Sequence, residues 1–477
     1  MAGLSSIITY MRSRFTSLRR LISRWRFVIT QQCTPQQLAL IPLCLFLLLL
    51  ILLGNSHQQP DVALIQTRLN EAQPTETNRV PPLEPAQAEI NPTDINSKIH
   101  ESEIRGVWIT NVASSVMFAP WGIPRAVRQL AKMNFNTVYP VVWNRGKSFY
   151  HSDTLKRLTG NAIAPMMSLT HPTEDPLAEM LRTGHQQNLR IIPWFEYGFM
   201  VPLGSKLATQ HPDWLTARQN GSHELHESNL TGNRQSKATF LSRLLGSGAP
   251  KSLGWLNPLH PEVQTLISAL VQEVISQYDV EGIQFDDHFS LPADFGYDPY
   301  TVALYQAEHD GQLPPNRSDN ADWLRWRADK FSQFVGTLHD QVKATCPTCL
   351  FSLSPNPANF AYRFHLQDWR TWVANDWIDE LVVQVYRDEL DSFEGELAKE
   401  TLQSTMDRIP VSIGILTGTW RRPISFEQIR QQVVSSRDHH FSGVSFFYWD
   451  TLWSYFTPES PQKRRQNFRE LLADKPL

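Results

Sequence analysis

The sequence predicts an α/β fold: a (β/α)8 TIM barrel with long βα-loop insertions, preceded by a single transmembrane helix and a disordered proline-rich linker. Short runs rich in β-branched and aromatic residues alternate with longer amphipathic runs, and this alternation repeats eight times over about 370 residues. A leucine-rich run without charge near the N-terminus predicts the membrane helix. A doubly wound open sheet is the alternative for the body. The first predicted strand is not followed by G-x-G-x-x-G, which favours the barrel.

The N-terminal region divides into a basic segment, 1–37, and an apolar run, 38–54. Six arginines lie between residues 12 and 26, and no acidic residue occurs before Asp61. As a helix, Leu38–Gly54 would span roughly 25 Å, which is enough for a bilayer core. Because basic flanks stay in the cytoplasm, we expect a single-pass cell-membrane protein whose body is extracytoplasmic, in the periplasm. A cleaved signal peptide is the competing interpretation.

The next segment, 55–102, is predicted to be a flexible linker. It contains six prolines among Gln, Asn, Thr and Glu and lacks the apolar periodicity that a folded element needs. The folded body is therefore predicted to be 103–477.

Composition limits the classes of partner. The chain has 44 Lys+Arg against 47 Asp+Glu, a formal net charge of −3, so nothing indicates nucleic acid binding. Aromatic residues make up 11% of the chain and include 15 Trp. Flat aromatic faces suit a carbohydrate binder, although a large core explains the same enrichment.

The body contains one cysteine pair, Cys346 and Cys349 in C-P-T-C, just before a predicted strand. A redox motif needs a helix N-terminus after a strand, so a structural turn is favoured, and a local disulfide stays open. The sequence offers no second pair to complete a zinc site, and no metal or cofactor is predicted.

Eight strands are predicted from β-branched and aromatic runs, with helices of three- and four-residue apolar spacing between them. A polar insert of about 198–254 separates the third and fourth strands; it is expected either to wall a cleft on the catalytic rim or to be disordered. The predicted strands are Ile104–Val112, Asn136–Trp143, Leu189–Tyr197, Glu281–Asp287, Leu350–Pro355, Asp379–Arg387, Val411–Leu416 and Gly443–Asp450.

The C-terminal ends of these strands carry polar and aromatic side chains. Barrel enzymes place their chemistry at these ends, so the side chains are expected to converge on one rim. Amides, an arginine and aromatic rings together are typical of a sugar-binding cleft. The candidate substrate-binding residues are Trp143, Asn144, Arg145, Trp194, Tyr197, His288, Asn356, Gln384, Tyr386 and Trp449.

Three carboxylates on this rim are the candidate catalytic residues: Asp286, Asp287 and Glu196. Strand alternation predicts that Asp286 points inward and that Asp287 starts the loop. Glycoside hydrolysis needs one ionised carboxylate and one protonated carboxyl group, and the aromatic neighbours of Glu196 would raise its pKa. Each of these acids also has a plain structural interpretation, as a helix cap or an ion-pair partner.

Two other functions stay open at this stage. The same acids, together with His288, could bind a metal in a metal-assisted hydrolase or deacetylase. An aromatic rim on a tether would equally suit a glycan-binding envelope module without catalysis.

Several motifs are similar to a known family. RGVWITNV, NTVYPVVWNRGKSFYHSD, LNPLHPEV and YDVEGIQFDDHF occur in order, and the chain resembles glycosyl-hydrolase-like family 10 over about Glu103 to Trp453. The resemblance implies a barrel hydrolase acting on a glycan such as the peptidoglycan backbone, a site around Asp286 and Asp287, and Asn257 as a rim residue. A more distant likeness to the alpha-amylase clan implies Asp286 as nucleophile. The fifth predicted strand lacks the Glu of that clan, and Asn is common in the family where Glu196 stands. The general acid is therefore left open.

Overall fold

The computed structural model describes residues 103–473, except 113, 115, 120, 173, 226–251, 420–421 and 455–456. The basic segment 1–37, the predicted membrane helix 38–54 and the predicted linker 55–102 lie outside the described residues. Among the residues that are described, no helix combines the length and the apolar character needed to cross a bilayer.

The predicted barrel is confirmed. Eight parallel strands form one closed sheet, in which β1 pairs with both β2 and β8. Because all eight are parallel, their C-terminal ends lie at the same rim. The strands are β1 (Ile104–Ile109), β2 (Thr137–Asn144), β3 (Arg190–Ile191 and Trp194–Phe195), β4 (Gly282–Asp286), β5 (Leu350–Ser354), β6 (Glu380–Gln384), β7 (Val411–Leu416) and β8 (Gly443–Phe447).

Helices follow the strands, and several begin where the sequence supplies a cap. Asp175, for example, accepts hydrogen bonds from the backbone N–H groups of Leu177 and Ala178, and a proline follows it at the first helical position. The α-helices are Gly122–Lys132, Asp153–Thr159, Pro165–Thr170, Pro176–His185, Lys206–Gln210, Pro261–Gln277, Pro299–Glu308, Ala321–Thr345, Ala358–His365, Trp369–Ala374, Leu390–Leu397, Glu400–Met406, Phe426–Asp438, Trp449–Leu452 and Pro461–Leu471.

The insert between β3 and β4 is ordered at both of its ends. Met200–Pro202 pairs in antiparallel fashion with Leu253–Trp255, so a two-stranded sheet closes the base of the insert. A short helix, Lys206–Gln210, follows the first of these strands. The first part of the insert leaves β3 at its C-terminal end and therefore starts on the rim side of the barrel.

Cys346 and Cys349 are joined by a disulfide. The pair closes the turn between the helix Ala321–Thr345 and strand β5. The bond stabilises a local turn of four residues and has no contact with the strand ends of the rim.

The barrel interior holds a chain of polar side chains. Trp108 Nε1 donates to Gln284 Oε1 at 2.7 Å, Gln284 Nε2 donates to Ser352 Oγ at 3.0 Å, and Ser352 Oγ donates to Glu380 Oε1 at 3.0 Å. Arg190 Nη2 completes the chain, 2.6 Å from Glu380 Oε2, and both residues are 1% exposed. Strands β1, β3, β4, β5 and β6 are thus tied together beneath the rim.

Replacing Arg190 by Met should lower the free energy of unfolding by about 3 kcal/mol, because Glu380 would be left buried without its cation. Arg430→Met, which breaks the exposed pair with Glu427, is the matched control and should change stability little. Chemical denaturation monitored by circular dichroism measures both. Equal stability of Arg190→Met and the wild type would show that the buried pair contributes nothing.

Candidate active site

The ends of strands β2 to β6 bring most of the predicted site residues together. Seven of these side chains are partly exposed, namely Arg145, Tyr197, Asp287, His288, Asn356, Gln384 and Tyr386. Glu196, Asp286 and Asn144 lie just beneath them and are buried. The rim therefore has polar groups at its surface and carboxyl groups at two depths.

Glu196 follows strand β3 and is 3% exposed. Its carboxyl group accepts hydrogen bonds from Thr110 Oγ1 at 2.7 Å and from Asn144 Nδ2 at 2.8 Å. Burial raises the pKa of Glu196 to about 7, and the negative charge of Asp286 adds to the rise, whereas the two hydrogen bonds and Arg145 oppose it. A large fraction of Glu196 is consequently protonated at neutral pH.

Asp286 is the last residue of β4, and its side chain is 4% exposed. One carboxylate oxygen accepts the backbone N–H of His288 at 2.9 Å, and the other faces the backbone N–H of Tyr197 at 3.4 Å. Burial raises the pKa of Asp286, and the charge and hydrogen bonds of His288 offset part of that rise. Asp286 thus links the ends of β3 and β4.

Asp287 is the most exposed carboxylate of the three, with 20% of its side chain accessible. Asn356 Nδ2 donates to Oδ2 at 2.9 Å, and Gln384 Nε2 donates to Oδ1 at 3.2 Å. Burial alone would raise the pKa of Asp287, but the charges of His288 and His365 and the two amide hydrogen bonds hold it below its ordinary value. Asp287 is therefore ionised, and residues from β5 and β6 fix its orientation.

Two cations balance the acids. His288 Nδ1 lies 3.3 Å from Asp286 Oδ1 and 3.4 Å from Asp287 Oδ1. Burial alone would lower the pKa of His288, but the two aspartates raise it to about 9, so the imidazole is protonated at neutral pH. The Arg145 guanidinium lies 4.2 Å from the ring centre of Tyr197, whose other neighbour is the His288 ring at 4.5 Å.

Five predicted substrate contacts have a different environment. Asn144 is 3% exposed, and its amide nitrogen donates to Asn111 and Glu196. Trp143 is fully buried and donates to the carbonyl of Gly198 at 2.7 Å. Asn257 is also fully buried, and its amide nitrogen donates to Asp298 and Thr301. Neither offers surface to a substrate. Trp194 and Trp449 are 3% and 8% exposed and pack mainly against other aromatic rings, those of Trp108, Phe447 and Trp453.

The sequence interpretation missed three residues that support the acids. Thr110, after β1, donates to Glu196, and its place at a strand end in RGVWITNV could have identified it. Gln367 Nε2 donates to the carbonyl oxygen atoms of Asp286 and Phe289, both at 3.0 Å. His365 lies near Asp287, and burial lowers the pKa of His365 below its ordinary value. His365 ends the helix Ala358–His365 and Gln367 follows it, so neither stands at a strand end and no sequence pattern places them here.

Asp286, Asp287 and His288 also form a group with metal-ligand chemistry, because each offers one ligand atom within 4.8 Å of the others. The chain supplies two carboxylates and one imidazole from three consecutive residues, and no further carboxylate or imidazole joins this group within the described part of the protein. Both aspartates already accept hydrogen bonds, and His288 carries a proton at neutral pH. The arrangement therefore suits a charge-paired acid cluster better than a metal centre.

The sequence and the fold of the chain are similar to those of known proteins. The model of the glycosyl hydrolase-like 10 family matches residues 103–436, which is more than half of the chain. The chain belongs to the glycosyl hydrolase-like 10 family. The matched part contains strands β1 to β7 and all three carboxylates of the site, and it confirms the family resemblance seen in the motifs.

The curated relatives that the chain matches are distant in sequence. Glycosyl hydrolase DigH of Escherichia coli K12 is 25% identical over 316 residues, covering 59% of this chain and 65% of DigH. Glycosyl hydrolase YngK of Bacillus subtilis is 23% identical over 326 residues, covering 60% of this chain and 54% of YngK. The match thus spans less than two thirds of the length of these relatives.

Solved structures show that the barrel is shared with glycoside hydrolases. The glycoside hydrolase domain of PgaB (BpsB) from Bordetella bronchiseptica has a TM-score of 0.52 at 13% identity, over 78% of this chain and 99% of that one. The catalytic domain of a beta-amylase from Paenibacillus polymyxa has a TM-score of 0.50 at 9% identity, over 77% of this chain and 97% of that one. At these identities the likeness concerns the fold alone.

Proposed function

We propose that this protein is a membrane-anchored, extracytoplasmic glycoside hydrolase that acts on a polysaccharide, the glycan strand of peptidoglycan being the substrate we favour. One observation carries the proposal: two carboxyl groups at the ends of neighbouring strands have pKa values shifted in opposite directions. Glu196 has its pKa raised to about 7, whereas the pKa of Asp287 lies below its ordinary value. Glycosidic bond hydrolysis requires this pairing.

In this proposal Glu196 is the general acid and protonates the leaving glycosidic oxygen. Asp287 is the ionised carboxylate that acts at the anomeric carbon, either directly as nucleophile or through an activated water molecule. Its exposure and its fixed orientation favour it over Asp286 for this role. Asp286 positions Tyr197 and His288, and the positive charge of His288 keeps Asp287 ionised.

The partly exposed polar groups around the acids would orient the sugar. The Arg145 side chain and the hydroxyl groups of Tyr197 and Tyr386 can donate hydrogen bonds to sugar oxygens. The Arg145 Nε atom has no hydrogen-bond partner among the described residues. These donors come from the ends of β2 and β3 on one side of β4 and from the end of β6 on the other.

Support for the location comes from three features of the chain. Six arginines precede the apolar run 38–54, which fits an anchor with its basic side in the cytoplasm. A flexible linker of the length of 55–102 would reach on the order of 40 Å, far enough for the barrel to meet an envelope polymer. The Cys346–Cys349 disulfide fits an oxidising compartment. The name glycosyl hydrolase borne by DigH and YngK supports the reaction class.

The experiment is incubation of the full-length protein in detergent with purified peptidoglycan and, separately, with other polysaccharides, followed by mass analysis of the released fragments. Fragments that carry a new reducing end and one added water support a hydrolase. Retention of the protein on a glycan without release of any fragment would support a binding module instead.

A metal-assisted hydrolase is the second candidate, because Asp286, Asp287 and His288 lie within ligand distance of one another. We expect EDTA to leave the rate of fragment release unchanged, since the two aspartates are already paired with a protonated His288. Rates are compared before dialysis, after dialysis against EDTA, and after addition of Zn²⁺ or Ca²⁺. Loss of activity that the divalent ion restores would overturn the metal-free mechanism.

A further inference from the structure

The helix Ala358–His365 carries two exposed aromatic side chains. Phe360 is 47% exposed and Phe364 is 50% exposed. They lie four residues apart on one face of the helix, and their ring centres are 4.9 Å apart. Two large apolar side chains that pack against each other in solvent form a surface that a partner can cover.

This helix is fixed to the segment that follows Asp286 and Asp287. The backbone N–H of Leu291 donates to His365 O at 3.0 Å, and that of Ala293 donates to Phe364 O at 2.9 Å. Gln367, two residues after the helix, binds the carbonyl oxygen of Asp286 at 3.0 Å. The aromatic pair therefore has a fixed position relative to the candidate catalytic carboxylates.

The pair is also linked to the site through His365. The Phe360 ring lies 5.6 Å from the His365 ring, and His365 is close enough to Asp287 to lower its pKa. His365 is 9% exposed, and its Nδ1 atom has no hydrogen-bond partner among the residues described here. Asn356, which holds Asp287, is only four residues before Phe360, at most roughly 14 Å of extended chain.

From this placement we propose that Phe360 and Phe364 form a distal subsite for a glycan chain whose cleaved bond lies at Asp287. The proposal rests on the proposed glycosidase function and adds that the enzyme engages several sugar rings at once. The apolar faces of sugar rings stack on flat aromatic side chains. Asn359 and Arg363 are exposed on the same helix and can bind sugar hydroxyl groups, which favours a glycan over a wholly apolar partner.

Binding is tested with the full-length chain in detergent, carrying Asp287→Asn so that the glycan is not consumed. Adding Phe360→Ala and Phe364→Ala together should weaken binding of long peptidoglycan glycan strands about tenfold, which is about 1.4 kcal/mol. Binding of the disaccharide unit at Asp287 is the internal reference, and the loss should grow with chain length. Phe360→Trp with Phe364→Trp should keep the affinity, because stacking is retained.

Val434→Ala and Leu313→Ala are the matched controls. Both remove exposed apolar side chains, of 37% and 71% exposure, from other segments and should leave strand binding unchanged. Circular dichroism melting curves verify that every variant is folded.

Equal affinity of the double alanine variant and its parent for strands of every length would overturn the subsite. A wild-type dimer in analytical ultracentrifugation that the double alanine variant abolishes, with strand binding unchanged, would assign the surface to a second copy of the chain and would also overturn it. The proposed function is tested separately, by fragment release from the protein with native Asp287. Binding that depends on strand length, without release of any fragment, would support the subsite and contradict the proposed hydrolase function.

Discussion

Replacing Asp287 by Asn is expected to lower kcat/KM for glycan hydrolysis about 10³-fold or more, equivalent to about 4 kcal/mol of transition-state stabilisation. Asparagine has nearly the same shape and can keep one hydrogen bond to the neighbouring amides, but it carries no negative charge and is a poor base and nucleophile. The loss should appear mainly in kcat, because substrate binding does not need that charge. Release of reducing ends from a soluble glycan measures both constants.

Asp340→Asn is the matched control for this variant, since Asp340 is 78% exposed near the end of the helix Ala321–Thr345, which leads into the N-terminal end of β5, opposite the rim. It should retain full activity. If Asp286→Asn abolishes turnover while Asp287→Asn retains it, the two aspartates have exchanged roles, and the nucleophile implied by the alpha-amylase likeness is the correct one.

Replacing Glu196 by Gln is expected to lower kcat about 10²- to 10⁴-fold and to change the pH profile. The pKa of Glu196 is raised to about 7, so the wild-type acid is protonated below that pH and loses its proton above it. Wild-type activity should therefore fall as the pH rises through about 7. Residual activity of Glu196→Gln should lack this alkaline limb, because glutamine does not titrate.

The same residue makes a stability prediction of defined sign. A carboxyl group with a raised folded pKa favours the folded state most below its unfolded pKa, and this contribution is lost as the pH rises towards about 7. Glu196→Gln should remove that decrease and so gain stability relative to the wild type at pH values above about 7. Denaturation at several pH values tests this, with the exposed Glu394→Gln as control. If the activity of Glu196→Gln still falls as the pH rises through about 7, another group is the general acid.

Much of the site was predictable because its residues end strands. Asp286, Asp287 and Glu196 stand directly after apolar runs, and parallel strands of a closed barrel must present such residues at one rim. Gln384 and Asn356 were selected by the same rule, and the structure shows that they bind Asp287. Position on a strand is a local property, so local sequence is enough to find it.

Position at a strand end was a weaker guide for side chains whose role depends on how deeply they are buried. Trp143 and Asn257 were expected at the substrate surface, but both are fully buried. A tryptophan at a strand end has the same local pattern whether it stacks on a ligand or packs beneath a loop. The Arg190–Glu380 pair inside the barrel was not predicted. A charged residue near the start of a strand is usually interpreted as part of a solvent-exposed strand end.

The sequence by itself determined the order of strands and helices, the rim on which the acids meet, and the family to which the barrel belongs. Tertiary structure alone decided which carboxyl group has a raised pKa and which a lowered one, and it also joined the helix of Phe360 and Phe364 to the segment that follows Asp287. The physical reason is that a pKa depends on burial and on neighbouring charges. Hydrogen bonds act in the same way, and their donors Thr110, Asn144 and Gln384 come from segments that are distant along the chain.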